Sequence, residues 1–62
     1  MLKIEIRTGG AAYSDEDIIT TEGRYELQRN LMDISRKLTN GYDSGVIIDI
    51  NGNKVGTWTL EN

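Results

Sequence analysis

The chain has no cysteine and no histidine in its 62 residues. The first absence excludes disulfides and thiolate metal sites, and it fits a reducing compartment. The second removes the commonest metal ligand and the commonest general base. Basic residues are in the minority, 7 Lys and Arg against 10 Asp and Glu, for a net charge of −3. That balance argues against a dedicated binder of nucleic acid or anionic membrane, since both depend on basic surface. No apolar run approaches the roughly 20 residues of a membrane span. The opening Met1-Leu-Lys-Ile-Glu-Ile-Arg7 alternates instead of building a signal-peptide core, so the mature protein is expected to start at Met1. With no repeat, low-complexity tract or linker, residues 1–62 are expected to form a single domain. A domain this small buries only about 60% of the surface its unfolded chain exposes, and self-association is the one staple left open to it.

What is present is ordered by periodicity. Leu2, Ile4 and Ile6 alternate with Lys3, Glu5 and Arg7, the pattern of a half-buried strand, and Thr8-Gly9-Gly10 closes it. From Ala11 to Thr21 no period survives. Ser14 and Asp17 imitate a helix cap, but Ile18-Ile19-Thr20-Thr21 is a β-branched run, so an ordered loop with at most a helical turn is expected. Leu27, Leu31, Ile34 and Leu38 then form one apolar stripe at helical spacing, flanked by Tyr25 and Met32. Thr20 or Thr21 is placed to cap this helix, expected at about residues 22 to 39, and Asn40-Gly41 to stop it. Val46-Ile-Ile-Asp-Ile50 is a strand, Asn51-Gly52 a hairpin signal, and Lys54 to Leu60 the last strand.

The fold class is therefore α+β: β-α-β-β, one helix packed on a three-stranded antiparallel sheet in the order 1-3-2. That order pairs every strand and keeps the crossover right-handed, whereas 1-2-3 needs a parallel pair. Parity suggests that Val46, Ile48 and Ile50 share a face with Gly56, Trp58 and Leu60, through an odd loop Asn51-Gly52-Asn53. Trp58 would then pack on Leu31 or Ile34. Ile47 and Val55 would point outward, and with the unblunted edge of the second strand they are expected to form a homodimer interface.

No arrangement of residues supports catalysis, and the chain reads as a non-enzyme with no cofactor and no metal. Asp49-Ile-Asn-Gly-Asn53 imitates the start of a calcium loop, but Lys54 stands where that loop needs glycine and Leu60 where it needs glutamate. A hairpin with Asp49 and the asparagines bonded to turn amides is the simpler reading. Gly9-Gly10 lacks the Lys-Ser/Thr of a phosphate loop. Ser14, Ser35 and Ser44 have no base placed against them. Helix charges at i,i+3 and i,i+4 (Glu26-Arg29, Arg29-Asp33, Asp33-Lys37) suit a solvated face. The acidic segment Asp15, Glu16 and Asp17, with Glu22 beyond, either presents charge to a basic partner or only keeps a loop solvated. If it binds, Tyr13 would serve as its aromatic anchor.

Two segments carry a resemblance: the hairpin Asp49-Ile-Asn-Gly-Asn-Lys-Val-Gly-Thr-Trp-Thr-Leu60, and the opening Lys3-Ile-Glu-Ile-Arg-Thr-Gly-Gly-Ala-Ala-Tyr13. With the Leu38-x-Asn40-Gly41 helix stop, they resemble a family of very small, uncharacterised proteins of Gram-positive bacteriophages and prophages. The chain departs from that pattern between Asp17 and Gly23, where it is longer and richer in β-branched residues. The resemblance implies a phage accessory protein in the bacterial cytoplasm with no catalytic residues. Small acidic proteins of such phages include inhibitors of host defence, anti-CRISPR proteins among them. The leading expectation is thus an interaction protein that binds and inhibits a host protein, such as a CRISPR nuclease whose DNA channel is basic. The alternatives are a nucleic-acid-binding accessory domain, which the acidic balance disfavours, and a structural or assembly component.

Overall fold

A computed structural model describes residues 1–62. Strand β1 spans Leu2–Ile6, β2 Ser14–Asp15 and β3 Ile18–Ile19; helix α1 spans Thr21–Thr39, β4 Ser44–Ile48 and β5 Lys54–Leu60. The chain is α+β, one helix with a three-stranded antiparallel sheet in which β5 lies between β1 and β4. The β-α-β-β outline needs one amendment. Residues 11 to 21 hold a tight hairpin, with Ser14 paired to Ile19 and Asp15 to Ile18. Its two loop residues, Glu16 and Asp17, both have positive φ, at 50° and 65°. Tight two-residue turns demand that geometry, but Asn and Gly usually supply it, so Glu-Asp gave no cue. The β-branched Ile18 and Ile19 suit the returning strand.

Helix α1 starts where its cap predicts. Thr20 Oγ1 accepts the Gly23 N–H at 2.9 Å. Glu22 lies in the first turn and Arg36 and Lys37 in the last, each favoured by the helix dipole there. Asn40 N–H closes the helix onto the Arg36 and Lys37 carbonyls, at 3.1 Å each. Its orientation is rotated from the expected stripe. Gly23, Glu26, Asn30 and Ile34 are buried, Leu27 and Leu38 pack at the margin, and Leu31 is 48% exposed. The cause lies under the first half of the helix, where the Tyr13 segment passes. A Cβ built on Gly23 would stand 1.9 Å from the Tyr13 carbonyl oxygen, so only glycine admits this contact.

The core consists of Tyr13, Ile34, Ile47, Val55 and Trp58, with Ile4, Ile6, Ala12, Leu27 and Leu38 around it. Trp58 faces inward with Ile34, not with Leu31. The β4 parity is the reverse of the expected one, because Gly45 pairs with Trp58 and Ile47 with Gly56. The extra residue lies inside β5 rather than in the turn. Ile47 pairs with Gly56 and Ile48 with Lys54, which leaves Val55 as a bulge that joins the inner face. Ile47 and Val55 are therefore core residues, 4% and 7% exposed, and cannot form the dimer interface expected of them. Val46 and Ile48 take the open face instead. Gly45 explains why the indole is accommodated: a Cβ there would meet Trp58 Nε1 at 2.7 Å.

Candidate protein-binding face

The residues singled out from sequence separate into a buried group and an exposed one. Tyr13 is wholly buried, so it is no surface anchor. Its hydroxyl donates to Asn30 Oδ1 at 2.8 Å, and its carbonyl accepts the Thr20 N–H at 2.9 Å. Burial first, then the nearby Glu26 and Asp49 carboxylates, raise its pKa above the ordinary tyrosine value. Asp15, Glu16, Asp17 and Glu22 are exposed, the first three at and beside the hairpin tip and Glu22 in the first turn of α1.

The polar residues on the buried side of α1 reach the edge of β4. Leu60 N–H bonds to the Asp43 carbonyl at 2.7 Å, and alternation from that bond turns the backbone groups of Ser44 and Val46 away from β5. Farther along, the Ile48 carbonyl accepts from Arg29 Nη2 at 3.2 Å and Asn30 Nδ2 at 3.4 Å. Glu26 grips Arg29 through both oxygens, Oε1 to Nε at 2.6 Å and Oε2 to Nη2 at 2.9 Å, and hydrogen bonds to the Ile50 backbone. Arg29 thus serves Glu26 and the strand, and the Arg29-Asp33 pair does not form. Asp33 holds Arg36 at 3.3 Å and Lys37 at 3.4 Å on the solvated side. The Arg29 hydrogen bond lowers the Glu26 pKa, outweighing the opposing effect of burial. Asp49 also acts structurally. Its Oδ1 accepts from Asn51 and Asn53 N–H at 2.9 and 2.8 Å, and the Asn53 bond is the main cause of its lowered pKa.

Packing leaves much apolar surface outside. Tyr25 is 67% exposed, Met32 60% and Ile50 73%. These do not stand singly. Tyr25 and Ile50 line one depression with Ala12, Glu22, Glu26 and Arg29. Tyr25 and Met32 line the next, with Gln28, Arg29 and Arg36. Shared residues make them one band, running from the acidic hairpin end along the solvent side of α1. No family model, curated protein or solved structure matches the chain. The band therefore has to be judged on its own chemistry. Contiguous apolar surface rimmed by polar groups is the usual mark of a protein contact. Sequence reading missed Tyr25 as the exposed aromatic. The available signal was its spacing: Tyr25 and Met32 lie seven residues apart, two turns along the helix, and opposite Ile34. No helix is long and apolar enough to cross a membrane.

Proposed function

We propose that this chain is a small phage or prophage protein that binds a host protein in the bacterial cytoplasm and inhibits it, a CRISPR nuclease being the partner the resemblance favours. One observation carries the interaction reading: Tyr25, Met32 and Ile50 form a continuous exposed band, although the domain buries only five hydrophobic side chains. Tyr25 takes the anchoring role that Tyr13, being buried, cannot fill. Glu22 lines one end of the band, and the exposed Asp15, Glu16 and Asp17 of the hairpin that precedes the helix add negative charge suited to a basic channel. Anchors of this kind carry about 2 kcal/mol or more each, and rim charges act mainly on the association rate.

The test uses capture from a Gram-positive host lysate followed by an activity assay on the captured protein. Tyr25→Ala with Met32→Glu should abolish capture and inhibition while circular dichroism stays that of the wild type. Replacing Asp15, Glu16 and Asp17 by Asn, Gln and Asn should slow association and flatten its salt dependence. Inhibition unchanged in both folded variants would refute the assignment of this face.

A further inference from the structure

We infer that a second copy of this chain pairs with β1, antiparallel about Ile4, so that two three-stranded sheets become one of six strands. The β1 edge itself lies outside the band above, and the inference stands without that reading.

The ladder between β1 and β5 decides which backbone groups are free. Arg7 N–H bonds to the Val55 carbonyl at 2.7 Å, and Glu61 N–H to the Met1 carbonyl at 2.9 Å. Both fall on odd-numbered residues of the β1 side, in the register that pairs Ile4 with Trp58. Antiparallel alternation then directs the N–H and C=O of Leu2, Ile4 and Ile6 away from β5, toward an open edge. The other edge of the sheet is not equivalent. At β4 the Ile48 carbonyl is occupied by Arg29 and Asn30. No helix side chain does this for β1.

The side chains of β1 select the occupant. Turned about Ile4, the strand places Ile4 opposite its own copy and Leu2 opposite Ile6, so all the free groups meet as hydrogen-bonded pairs. The same register sets Lys3 opposite Glu5 of the second copy, and Glu5 opposite Lys3 of the second copy. These are the closer, non-hydrogen-bonded positions, where opposite charges attract and like charges repel. The strand is its own electrostatic complement in the one register that also satisfies its backbone. Lys3 and Glu5 are exposed and hold no salt bridge in the single chain.

The helix leaves room for this neighbour. Of the three sheet strands α1 makes its main contact with β4, and the helix face turned away from Ile48 carries a depression lined by Arg24, Leu27, Leu31 and Ser35, which meets the band at Gln28 and Met32. A two-fold axis normal to the sheet keeps both helices on one face, each displaced from the junction, so that neither obstructs the strand pairing. An edge contact of this kind belongs with the weak interfaces that bury less than about 1,200 Å² in total.

Sedimentation equilibrium from about 1 micromolar to about 1 millimolar, the span of weak association, tests the proposal. The wild type should pass from 7.0 kDa to twice that mass. Glu5→Lys alone and Lys3→Glu alone should each remain monomeric, since each opposes like charges twice. Mixing these two variants should restore a one-to-one dimer, as should the double swap Lys3→Glu with Glu5→Lys in one chain. Both side chains are exposed, so each variant folds, which circular dichroism verifies. A monomeric wild type throughout would overturn the inference. So would a dimer that persists in Glu5→Lys, or two monomeric variants that fail to recombine.

Discussion

Replacing Gly23 with alanine sets two physical effects against each other, and the structure decides the sign. Inside a helix, glycine to alanine normally gains about 1 kcal/mol. At Gly23 the added methyl would stand 1.9 Å from the carbonyl oxygen of Tyr13, and within 2.7 Å of its carbonyl carbon and Cα. Those neighbours are backbone, so no side-chain rotation relieves the overlap. The Tyr13 segment must lift away, which strains the Thr20 N–H bond to the Tyr13 carbonyl and the buried hydroxyl bond to Asn30. Overpacking costs about 1 to 3 kcal/mol, and loosening a buried hydrogen bond about 1 to 3 more. Set against the helix gain, the net expectation is a loss of about 1 to 5 kcal/mol. In a domain of this size, at about 4 to 8 °C per kcal/mol, that lowers the melting temperature by roughly 4 to 40 °C. Thermal unfolding followed by ellipticity and by Trp58 emission measures it, with Gly10→Ala as control because nothing lies within 4 Å of its Cβ. A melting temperature equal to or above that of the wild type would show that the Tyr13 segment does not lock the helix.

Two further outcomes follow from the turns and the buried carboxylate. Glu16→Asn with Asp17→Gly gives the two positive-φ sites the residues that adopt them most readily, and should raise stability by about 1 kcal/mol; unchanged urea midpoints would argue that this turn is not strained. Glu26 and Asp49 have folded pKa values below their unfolded ones, so their contribution is complete above the ordinary carboxylate range and drains away as pH falls through the lowered values. The urea midpoint should therefore decline on acidification, and less steeply in Glu26→Gln; identical acid limbs in the two proteins would remove Glu26 from the account.

The outline was legible because it rests on short-range signals: alternation in Leu2–Ile6, the Thr20 cap, the Asn40 stop, and the β-branched run before Asn51-Gly52. The misplaced residues each depended on something nonlocal. Putting Ile47 and Val55 outside assumed that the odd residue belonged to the turn, whereas it is a bulge at Val55, set by how the indole lies over Gly45. Tyr13 looked like a loop aromatic because nothing in the sequence links it to Gly23 and Asn30, ten and 17 residues away. The hairpin at Glu16-Asp17 lacked its usual asparagine and glycine. The acidic residues were correctly read as exposed, since adjacent carboxylates resist burial without partners.

One displacement ties these features together. The helix does not sit centrally over its sheet but toward β4, drawn there by Glu26, Arg29 and Asn30 at the Ile48 and Ile50 backbone and by the Gly23–Tyr13 contact. A central helix would bury Leu31, a gain of about 1.5 to 3 kcal/mol. Moving it there would instead strip the Ile48 carbonyl of its Arg29 and Asn30 bonds, about 0.5 to 1.5 kcal/mol each. Leu31 is already half covered where it stands, so these bonds and the Gly23–Tyr13 contact offset what it would gain. A helix placed that way occupies the Ile48 end of the β4 edge and turns Tyr25 and Met32 toward solvent. It also leaves Leu31 half exposed and the backbone edge of β1 free, so the packing that stabilises the single chain leaves both recognition surfaces open.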